Sequence, residues 1–212
     1  MNHPLDYFER IFIINLPSRT DRQAEMAAQL KAIGLSLDDA NLELFPAVCP
    51  DAPEAFPSIG ARGCFMSHLG VLRTAQRLGL RRVSIFEDDL DFAADFNARI
   101  ASITERLEST NWSMFYGGYH MAQVSCESVH DGLVESQPDE LIGRTHFVVF
   151  QGAAISAAVH YLEKILGRPA GDPDGGPMHV DGAYNWFRCA NPQFKTVLVT
   201  PELGFQRASR HP

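Results

Sequence analysis

Three features are missing from this sequence, and each absence excludes a class of protein. The 212 residues contain no apolar run near the roughly 20 residues that a membrane-spanning helix needs. The four cysteines form no C-x-x-C pair, so neither a zinc-ribbon spacing nor a dense disulfide framework is present. Positive charge is also scarce, with 18 lysines and arginines against 26 acids. General nucleic-acid binding is therefore disfavoured, because it needs a basic face.

The first residues also lack the features of a secretory signal. The stretch "MNHPLDYFER" is polar and carries acids, and the apolar "IFIINL" that follows is too short for a signal-peptide core. We therefore expect a cytoplasmic protein with reduced thiols. Peripheral association with the inner face of a membrane stays open, since it needs neither a signal nor a span.

The composition and length of the sequence are typical of a folded globular domain. Hydrophobic residues make up 45% and charged residues 21% of the chain, as in ordinary globular proteins. A chain of this length can bury a sizeable core. We expect one domain over residues 1–212.

Apolar runs alternate with segments of helical periodicity. The runs that predict strands are residues 10–16, 42–48, 81–86, 112–116, 145–156 and 194–201. The segments that predict helices are residues 20–33, 60–80, 157–166, 179–190 and one that begins near Asp91 and extends to Leu107. A loop or hairpin is expected within 121–144. This alternation predicts an α/β fold, with a mostly parallel central sheet flanked by helices.

Three consecutive acids, Glu87, Asp88 and Asp89, follow the apolar run "RRVSIF". In a parallel sheet, ligands bind beyond the carboxyl ends of the strands. Strand alternation predicts that Glu87 and Asp89 share one face and Asp88 the other. Two carboxylates on one face can hold a hard divalent cation. The alternative is that Asp88 and Asp91 cap the following helix and favour its positive dipole end.

Several quoted segments, taken in order, resemble one protein family. "INLPSRTDR", "GCFMSHLGVL" and "VSIFEDDLDF" are similar to the motifs of glycosyltransferase family 25. Later segments, "GAAISAAVHYLEKIL", "VDGAYNWF" and "PELGFQRAS", also resemble it. The family includes bacterial lipopolysaccharide and lipooligosaccharide galactosyltransferases and the procollagen galactosyltransferases. The resemblance covers most of the chain, which makes it more specific than any single motif.

The resemblance implies a GT-A-like nucleotide-sugar fold and an inverting, metal-dependent glycosyltransferase. The donor would be a UDP-hexose, by resemblance UDP-galactose, and the acceptor a glycan such as lipopolysaccharide or a lipid-linked precursor. The cofactor would be Mn²⁺ or Mg²⁺. A donor-binding half would span about residues 1–118, and an acceptor or closing half about residues 119–212.

The resemblance also implies a role for individual residues. Asp181 would be the catalytic base, and Glu87 and Asp89 would hold the metal. The donor-binding residues would be Asn15, Arg22, Ser67, His68 and Asp88. Gln206 and Ser209 either close over the donor from the tail or only pack, and the position of His211 makes it a candidate further metal ligand.

Each role has a plain structural alternative. Arg22 fits a solvated helix surface, and Asp181 fits a helix N-cap. The core face formed by Leu69 and Leu72 places His68 partly off the core, so that it is either a satisfied buried histidine or a residue near the donor. Cys64 is expected to be a small core residue rather than a nucleophile.

Two departures from the family pattern motivate a different class of function. Ala61 stands where an acid is expected before the G-C pair, and Ala154 replaces a tyrosine. The second hypothesis is accordingly a sugar-nucleotide-binding or interaction module that has lost transfer. A metal-dependent phosphoesterase is disfavoured, because no second cluster of His and Asp ligands accompanies the three acids.

Overall fold

A computed structural model of the chain describes residues 3–121, 127–130 and 132–208. Ser209 and His211, the two tail residues singled out above, lie outside the described residues. After a short 3-10 turn at Pro4–Phe8, strands and helices alternate along the chain. The strands are β1 Arg10–Asn15, β2 Leu42–Pro46, β3 Arg82–Glu87, β4 Leu90–Phe92, β5 Met114–His120, β6 Glu127–His130, β7 Leu133–Ser136, β8 Gly143–Gln151, β9 Thr196–Val199 and β10 Gly204–Gln206. The helices are α1 Thr20–Ala32, α2 Ile59–Leu78, α3 Phe96–Ser109, α4 Ala153–Leu166 and α5 Val180–Ala190.

Eight of the described strands form one sheet in the order β2-β1-β3-β8-β5-β9-β7-β6. Strand β1 pairs in parallel with β2 and β3, and β5 pairs in parallel with β9. Strands β8 and β7 are antiparallel to their neighbours, so the other six of the eight strands share one direction. The predicted fold class, a single α/β domain with a mostly parallel sheet flanked by helices, is confirmed.

The sheet is covered by helices on both faces. In β1, Phe12 and Ile14 join the apolar cluster that includes residues of α2, α4 and α5. The alternate residues, Ile11 and Ile13, join the cluster that includes residues of α1 and α3. Because successive strand residues point to opposite faces, a strand buried on both sides must be apolar throughout. This explains why "RIFIINL" shows no polar alternation.

Helix α2 has clear signals at both ends. The Ser58 hydroxyl accepts a hydrogen bond from the Ala61 amide at 3.0 Å, which caps the first turn. Gly79 closes the helix in the left-handed region, with φ of 65°. The predicted span, residues 60–80, is therefore nearly that of α2.

The predicted helix start near Asp91 is wrong. Residues Leu90–Phe92 form β4, which pairs antiparallel with β10 from the C-terminal tail, and the helix begins only at Phe96. The Asp91 carboxylate accepts hydrogen bonds from Arg207 instead of capping the helix. A pairing across more than 100 residues of chain overrides the local capping signal.

Gly117 and Gly118 lie inside β5, past the end of the predicted strand over residues 112–116. A Cβ on Gly117 would lie 2.3 Å from the Phe147 ring, and one on Gly118 would lie 2.2 Å from Nε2 of His146. Close packing of β5 against β8 therefore requires both glycines. Further along, β6 and β7 pair antiparallel and confirm the expected hairpin.

The predicted strand over residues 145–156 ends earlier than expected. Strand β8 stops at Gln151, and α4 begins at Ala153 after Gly152, whose φ is 59°. Ala154 is buried in the core cluster on that side of the sheet. None of the helices in the described part of the chain is long and apolar enough to cross a membrane.

Candidate functional site

A cavity of about 310 Å³ opens beyond the carboxyl ends of β1, β2 and β3. One wall is largely apolar and comes from the loop after β2 and the start of α2. The other wall is charged and comes from α1 and the end of β3. The residues that line this first cavity include Val48, Pro50, Ile59, Gly63, Arg19, Arg22, Glu87, Asp88 and Asp89. An apolar slot beside a few convergent charges is typical of a small-molecule site.

Asp88 is held by residues from β1 and α1. Its Oδ2 accepts a 2.8 Å hydrogen bond from the Asn15 amide, and its Oδ1 lies 2.7 Å from the Arg22 guanidinium. Asn15 also donates to the carbonyl of Arg19 at 3.3 Å. The structure thus brings together three of the residues assigned to the donor. Arg22 is not a solvated surface charge, because its side chain is only 18% exposed.

Asp89 is buried, and its Oδ1 has no hydrogen-bond partner in the described structure. Its Oδ2 accepts from Gln206 of the tail at 3.2 Å and lies 3.4 Å from Arg22. Burial and the charge of Glu87 raise the pKa of Asp89 from 3.8 to about 6, against the opposing effects of Gln206 and Arg22. A carboxylate in this setting is stabilised by an added cation.

Glu87 points toward α2 and β8. Its Oε1 accepts a 2.6 Å hydrogen bond from the Thr145 hydroxyl and lies 3.3 Å from Nε2 of His68. Burial opposes ionisation of Glu87, but the interactions with His68 and Thr145 outweigh it, so the pKa of Glu87 is lowered. Glu87 is therefore a stable carboxylate at neutral pH.

The alternation argument for the three acids fails beyond Glu87. Strand β3 ends at Glu87, and Asp88 and Asp89 form the turn that leads into β4. The two-residue period applies to extended strands only. All three acids line the first cavity, including Asp88, which was expected on the other face.

His68 is fully buried, so the expectation that it points partly off the core is wrong. Its Nδ1 lies 3.1 Å from the Tyr184 hydroxyl of α5, and its ring stands edge-on to that of Tyr184. Its Nε2 faces Glu87 at ion-pair distance, but without the alignment of a hydrogen bond. His68 therefore lies behind Glu87 and influences the cavity only through its contact with that residue.

Ser67 positions the apolar wall of the cavity. Its hydroxyl donates to the Gly63 carbonyl at 2.6 Å and accepts from the Val48 amide at 2.8 Å. These bonds tie the loop after β2 to α2. A Cβ on Gly63 would lie 2.6 Å from the Val48 carbonyl oxygen, so this contact also depends on a glycine.

A second cavity, of about 170 Å³, adjoins the first and shares Cys64 and Glu87 with it. Asp181 lines this second cavity together with Arg144, Thr145, His179 and Gln206. Asp181 lies one residue past the start of α5, whose N-cap is His179, so Asp181 is not the cap. Its oxygens accept from the Arg144 amide at 3.2 Å and from the Gly182 amide at 2.8 Å.

A bulge in β8 builds one side of the second cavity. Gly143 and Phe147 pair with His120 and Gly118, so three residues of β8 oppose one residue of β5. Arg144 in this bulge has φ of 65°, a strained backbone for a residue with a Cβ. Bulges often redirect side chains beside functional sites. This one delivers Thr145 to Glu87.

The sequence placed Cys64 in the core and gave it no part in the site. It lines both cavities, and its Sγ lies in a group with one ligand atom each of His68 and Glu87, all within 4.8 Å of one another. Burial and the neighbouring acids raise the pKa of the Cys64 thiol well above its ordinary value. The i, i+4 spacing of Cys64 and His68 on a helix could have revealed the pair.

The C-terminal tail also contributes in ways the sequence did not reveal. Besides Gln206, the tail places Arg207 against Asp91 and Glu25, and the Arg207 amide donates to the Asp89 carbonyl at 2.7 Å. The turn that carries the acids is thereby held from both sides. No local sequence pattern near residue 89 points to these partners.

The acids fit a hard divalent cation. The buried Oδ1 of Asp89 lacks a partner, and Asp88 and Asp89 share one guanidinium. Carboxylate oxygens are the ligands that Mg²⁺ and Mn²⁺ prefer. Of the residues assigned to the metal, Asp89 offers a free oxygen directly, while Glu87 is also engaged by Thr145.

Known proteins share parts of this sequence. A human protein named inactive glycosyltransferase 25 family member 3 is 26% identical over 144 residues, which cover 59% of this chain and 24% of that protein. Procollagen galactosyltransferase 1-A of Xenopus laevis is 28% identical over 135 residues, or 55% of this chain and 22% of that protein. The chain spans about a quarter of the length of these relatives.

One solved structure covers nearly the whole chain. A glycosyltransferase involved in the glycosylation of the major capsid of PBCV-1 aligns with 95% of this chain and 93% of its own, with 12% identity. The TM-score is 0.46.

The strongest comparison is at the level of the family. The sequence profile of glycosyltransferase family 25, described as an LPS biosynthesis protein, matches residues 8–137. The matched segment is more than half of the chain and includes the first cavity with its three acids. Asp181 and Arg144 of the second cavity lie beyond it. The chain belongs to glycosyltransferase family 25.

Proposed function

We propose that this chain is an inverting, metal-dependent glycosyltransferase with a GT-A-like fold, which moves a hexose from a UDP-sugar to a glycan acceptor. The observation that carries the proposal is the buried Asp89, whose Oδ1 lacks a partner beside two further acids. Such a group of carboxylates is unfavourable by itself and becomes favourable when a cation and a diphosphate join it. Family membership supports the same class of reaction.

The first cavity would hold the donor. Its apolar wall, from Val48 and Pro50 to Ile59, suits a nucleobase, and Ser67 fixes that wall in place. Arg22 now pairs with Asp88 and Asp89. With a donor bound, its guanidinium would also pair with a phosphate, which it can bind in a bidentate manner. Asn15 would keep Asp88 oriented for the donor ribose.

Asp89 and Glu87 would hold the cation, Mn²⁺ or Mg²⁺. When bound, the ion would neutralise charge on the leaving diphosphate. The Thr145 hydroxyl and His68 would keep the Glu87 carboxylate fixed in position. Gln206 would do the same for Asp89, so that the closing half of the chain, about residues 119–212, would complete the donor half.

The second cavity would receive the acceptor. Asp181 lines it, and the shared wall at Cys64 and Glu87 places it next to the donor cavity. Asp181 would remove the proton of the attacking hydroxyl, and a single displacement opposite the leaving UDP would invert the anomeric carbon. The amides of Arg144 and Gly182 donate to this carboxylate and hold its orientation.

The finer assignments follow the family resemblance. We propose UDP-galactose as donor, as the name of the Xenopus laevis relative suggests. The acceptor would be lipopolysaccharide or a lipid-linked precursor, met in the cytoplasm at the inner face of the membrane. Nucleic acid is not proposed as a partner, because the net charge is −8.

A thermal-shift comparison of nucleotides tests the donor site. UDP with Mn²⁺ should raise the melting temperature more than GDP or CMP does, since a ligand at 100 times its Kd stabilises by about 2.7 kcal/mol. Release of UDP from UDP-galactose, with several glycan acceptors, then tests transfer. Equal shifts for the three nucleotides would contradict a uridine site.

A second candidate is a sugar-nucleotide-binding module without transfer. The human relative carries the word inactive in its name, and Ala61 and Ala154 depart from the family pattern. Both alanines are buried, with Ala154 in the core, and a methyl group offers a ligand no polar contact. This candidate predicts UDP binding with Mn²⁺ but no release of UDP from UDP-galactose with any acceptor.

A further inference from the structure

Cys64, His68 and Glu87 bring three different ligand atoms to one place. Cys64 and His68 lie one turn apart on α2, and Glu87 is the last residue of β3. One sulfur, one nitrogen and one oxygen, one from each residue, lie within 4.8 Å of one another. Metal–sulfur and metal–nitrogen bonds of about 2.3 and 2.0 Å allow ligand atoms at such separations.

One ring nitrogen of His68 is available to a ligand. Its Nε2 is buried and has no hydrogen-bond partner in the described structure, although the Glu87 carboxylate lies only 3.3 Å away. Its Nδ1 contacts the Tyr184 hydroxyl at 3.1 Å. Histidines that bind metals usually donate their second ring N–H to such a partner, which leaves the other nitrogen free as a ligand.

Two of the three residues, Cys64 and Glu87, can be reached from solvent. Cys64 and Glu87 line both cavities, whereas His68 supports them from the buried side. An ion can therefore enter from either cavity and keep an open position for water. Thr145 donates to Glu87 at 2.6 Å and fixes the third ligand.

We propose that Cys64, His68 and Glu87 form a binding site for a thiophilic divalent cation of the zinc class. One thiolate, one imidazole and one carboxylate form a donor set that favours Zn²⁺ or Co²⁺ over the hard ions Mg²⁺ and Mn²⁺. On binding, the Cys64 S–H proton leaves to solvent and the thiolate donates its electron pair to the ion. This site goes beyond the proposed function, because its occupancy can be measured without transfer.

Cobalt titration tests the site directly. Chelator-treated full-length protein is titrated with CoCl₂ under anaerobic conditions, and thiolate-to-cobalt absorption is recorded in the near ultraviolet. We expect the band to saturate near one equivalent and to disappear when ZnCl₂ is added. Cys64→Ser should lose the band, while Cys189→Ser, which changes an exposed cysteine, should keep it.

Further variants separate ligation from folding. Melting curves of metal-free Cys64→Ser and Cys64→Ala should resemble that of the parent protein, and both should lose the zinc-induced rise in melting temperature. Tyr184→Phe should weaken Co²⁺ binding about 10- to 100-fold without removing the band, because it takes away the partner of Nδ1 only. A band that persists in Cys64→Ser, or none in the parent protein, would overturn the proposal.

The parent protein separates this site from the proposed function. Its binding of UDP and Mn²⁺ is measured by calorimetry beside the cobalt titration. If the parent protein binds Co²⁺ but not UDP with Mn²⁺, the zinc-class site stands and the donor site fails. If UDP with Mn²⁺ binds and no cobalt band forms, the proposed donor site stands and this inference fails.

Discussion

The two adjoining cavities are built in different ways. The first comes mainly from one continuous segment, β1 to the turn after β3, and its polar residues follow strand ends in sequence order. The second combines positions far apart in the chain: Cys64, Glu87, the bulge at Arg144 and Thr145, the start of α5, and Gln206 of the tail. Parallel strands with helical crossovers bring strand ends to one edge as a consequence of topology. Bulges and returning tails follow no such rule.

The difference also shows in what each cavity exposes to a ligand. The first has three acids, an unpartnered oxygen and an apolar wall. The second has Asp181, which is held by backbone amides of Arg144 and Gly182. A cation and a diphosphate match the first set, and a hydroxyl group that must lose a proton matches the second. Variants in each cavity should therefore fail in different assays.

Asp89→Asn should have the largest effect and acts on the first cavity. It keeps the shape of the side chain but removes the charge that would hold the cation, so Mn²⁺-dependent UDP binding should be abolished in calorimetric titration. Asp88→Asn is the comparison, because Asp88 already has two partners in Asn15 and Arg22. If Asp88→Asn loses binding and Asp89→Asn keeps it, the cation is held by Asp88 instead.

The same variant should stabilise the metal-free fold at neutral pH. Burial and Glu87 raise the folded pKa of Asp89 above its ordinary 3.8, to about 6. Stability from this group is therefore full below about pH 4 and is lost as the pH rises through about 6. Asp89→Asn should exceed the parent protein by roughly 2 kcal/mol at pH 8, and by little at pH 4, in urea denaturation. An advantage that does not change with pH would contradict this ionisation.

Asp181→Asn should have the next largest effect and acts on the second cavity. Loss of a general base lowers the rate of transfer by about 10²–10⁴-fold, whereas UDP binding should stay unchanged. Asp174→Asn, in an exposed loop, is the matched control and should transfer normally. Near-normal transfer by Asp181→Asn would show that Asp181 is not the base and that it only binds the Arg144 and Gly182 amides.

Gly118→Ala should disturb the second cavity through packing. A Cβ there would lie 2.2 Å from Nε2 of His146 and 2.7 Å from the Gly204 carbonyl, where the tail meets β5. We expect a loss of about 3 kcal/mol in the free energy of unfolding, since a ring and a backbone must both shift. Gly60→Ala is the control: its nearest neighbour would lie at 3.8 Å, so its effect should stay below about 1 kcal/mol.

Thr145→Val should have the smallest effect. It removes the 2.6 Å hydrogen bond that helps to lower the pKa of Glu87, and should cost about 1.5 kcal/mol at neutral pH. A lowered pKa contributes stability above the ordinary value of 4.5 and loses it as the pH falls. The difference from the parent protein should therefore shrink as the pH falls below 4.5. A difference that does not change with pH would show that Thr145 matters by packing alone.

The segment from β1 to β3 could be predicted closely from its sequence. Strand β1, helix α1 and helix α2 match their apolar periods, and Asn15, Arg22 and Asp88 meet beyond the strand ends. Local signals suffice there because each strand and its following helix form one unit. His68 was misjudged, because a helix face also packs against α5, and its Tyr184 partner lies 116 residues away.

The sequence by itself determined the α/β class, the strand that leads into three acids, and the helix that carries Cys64 and His68, since these depend on periods of two and 3.6 residues. The tertiary structure alone decided that the tail pairs with β4 and supplies Gln206 to Asp89, that a bulge brings Thr145 to Glu87, and that Asp181 lies beside the first cavity. Contacts between residues so far apart in the chain depend on how strands and helices pack, and no short stretch of sequence encodes that packing.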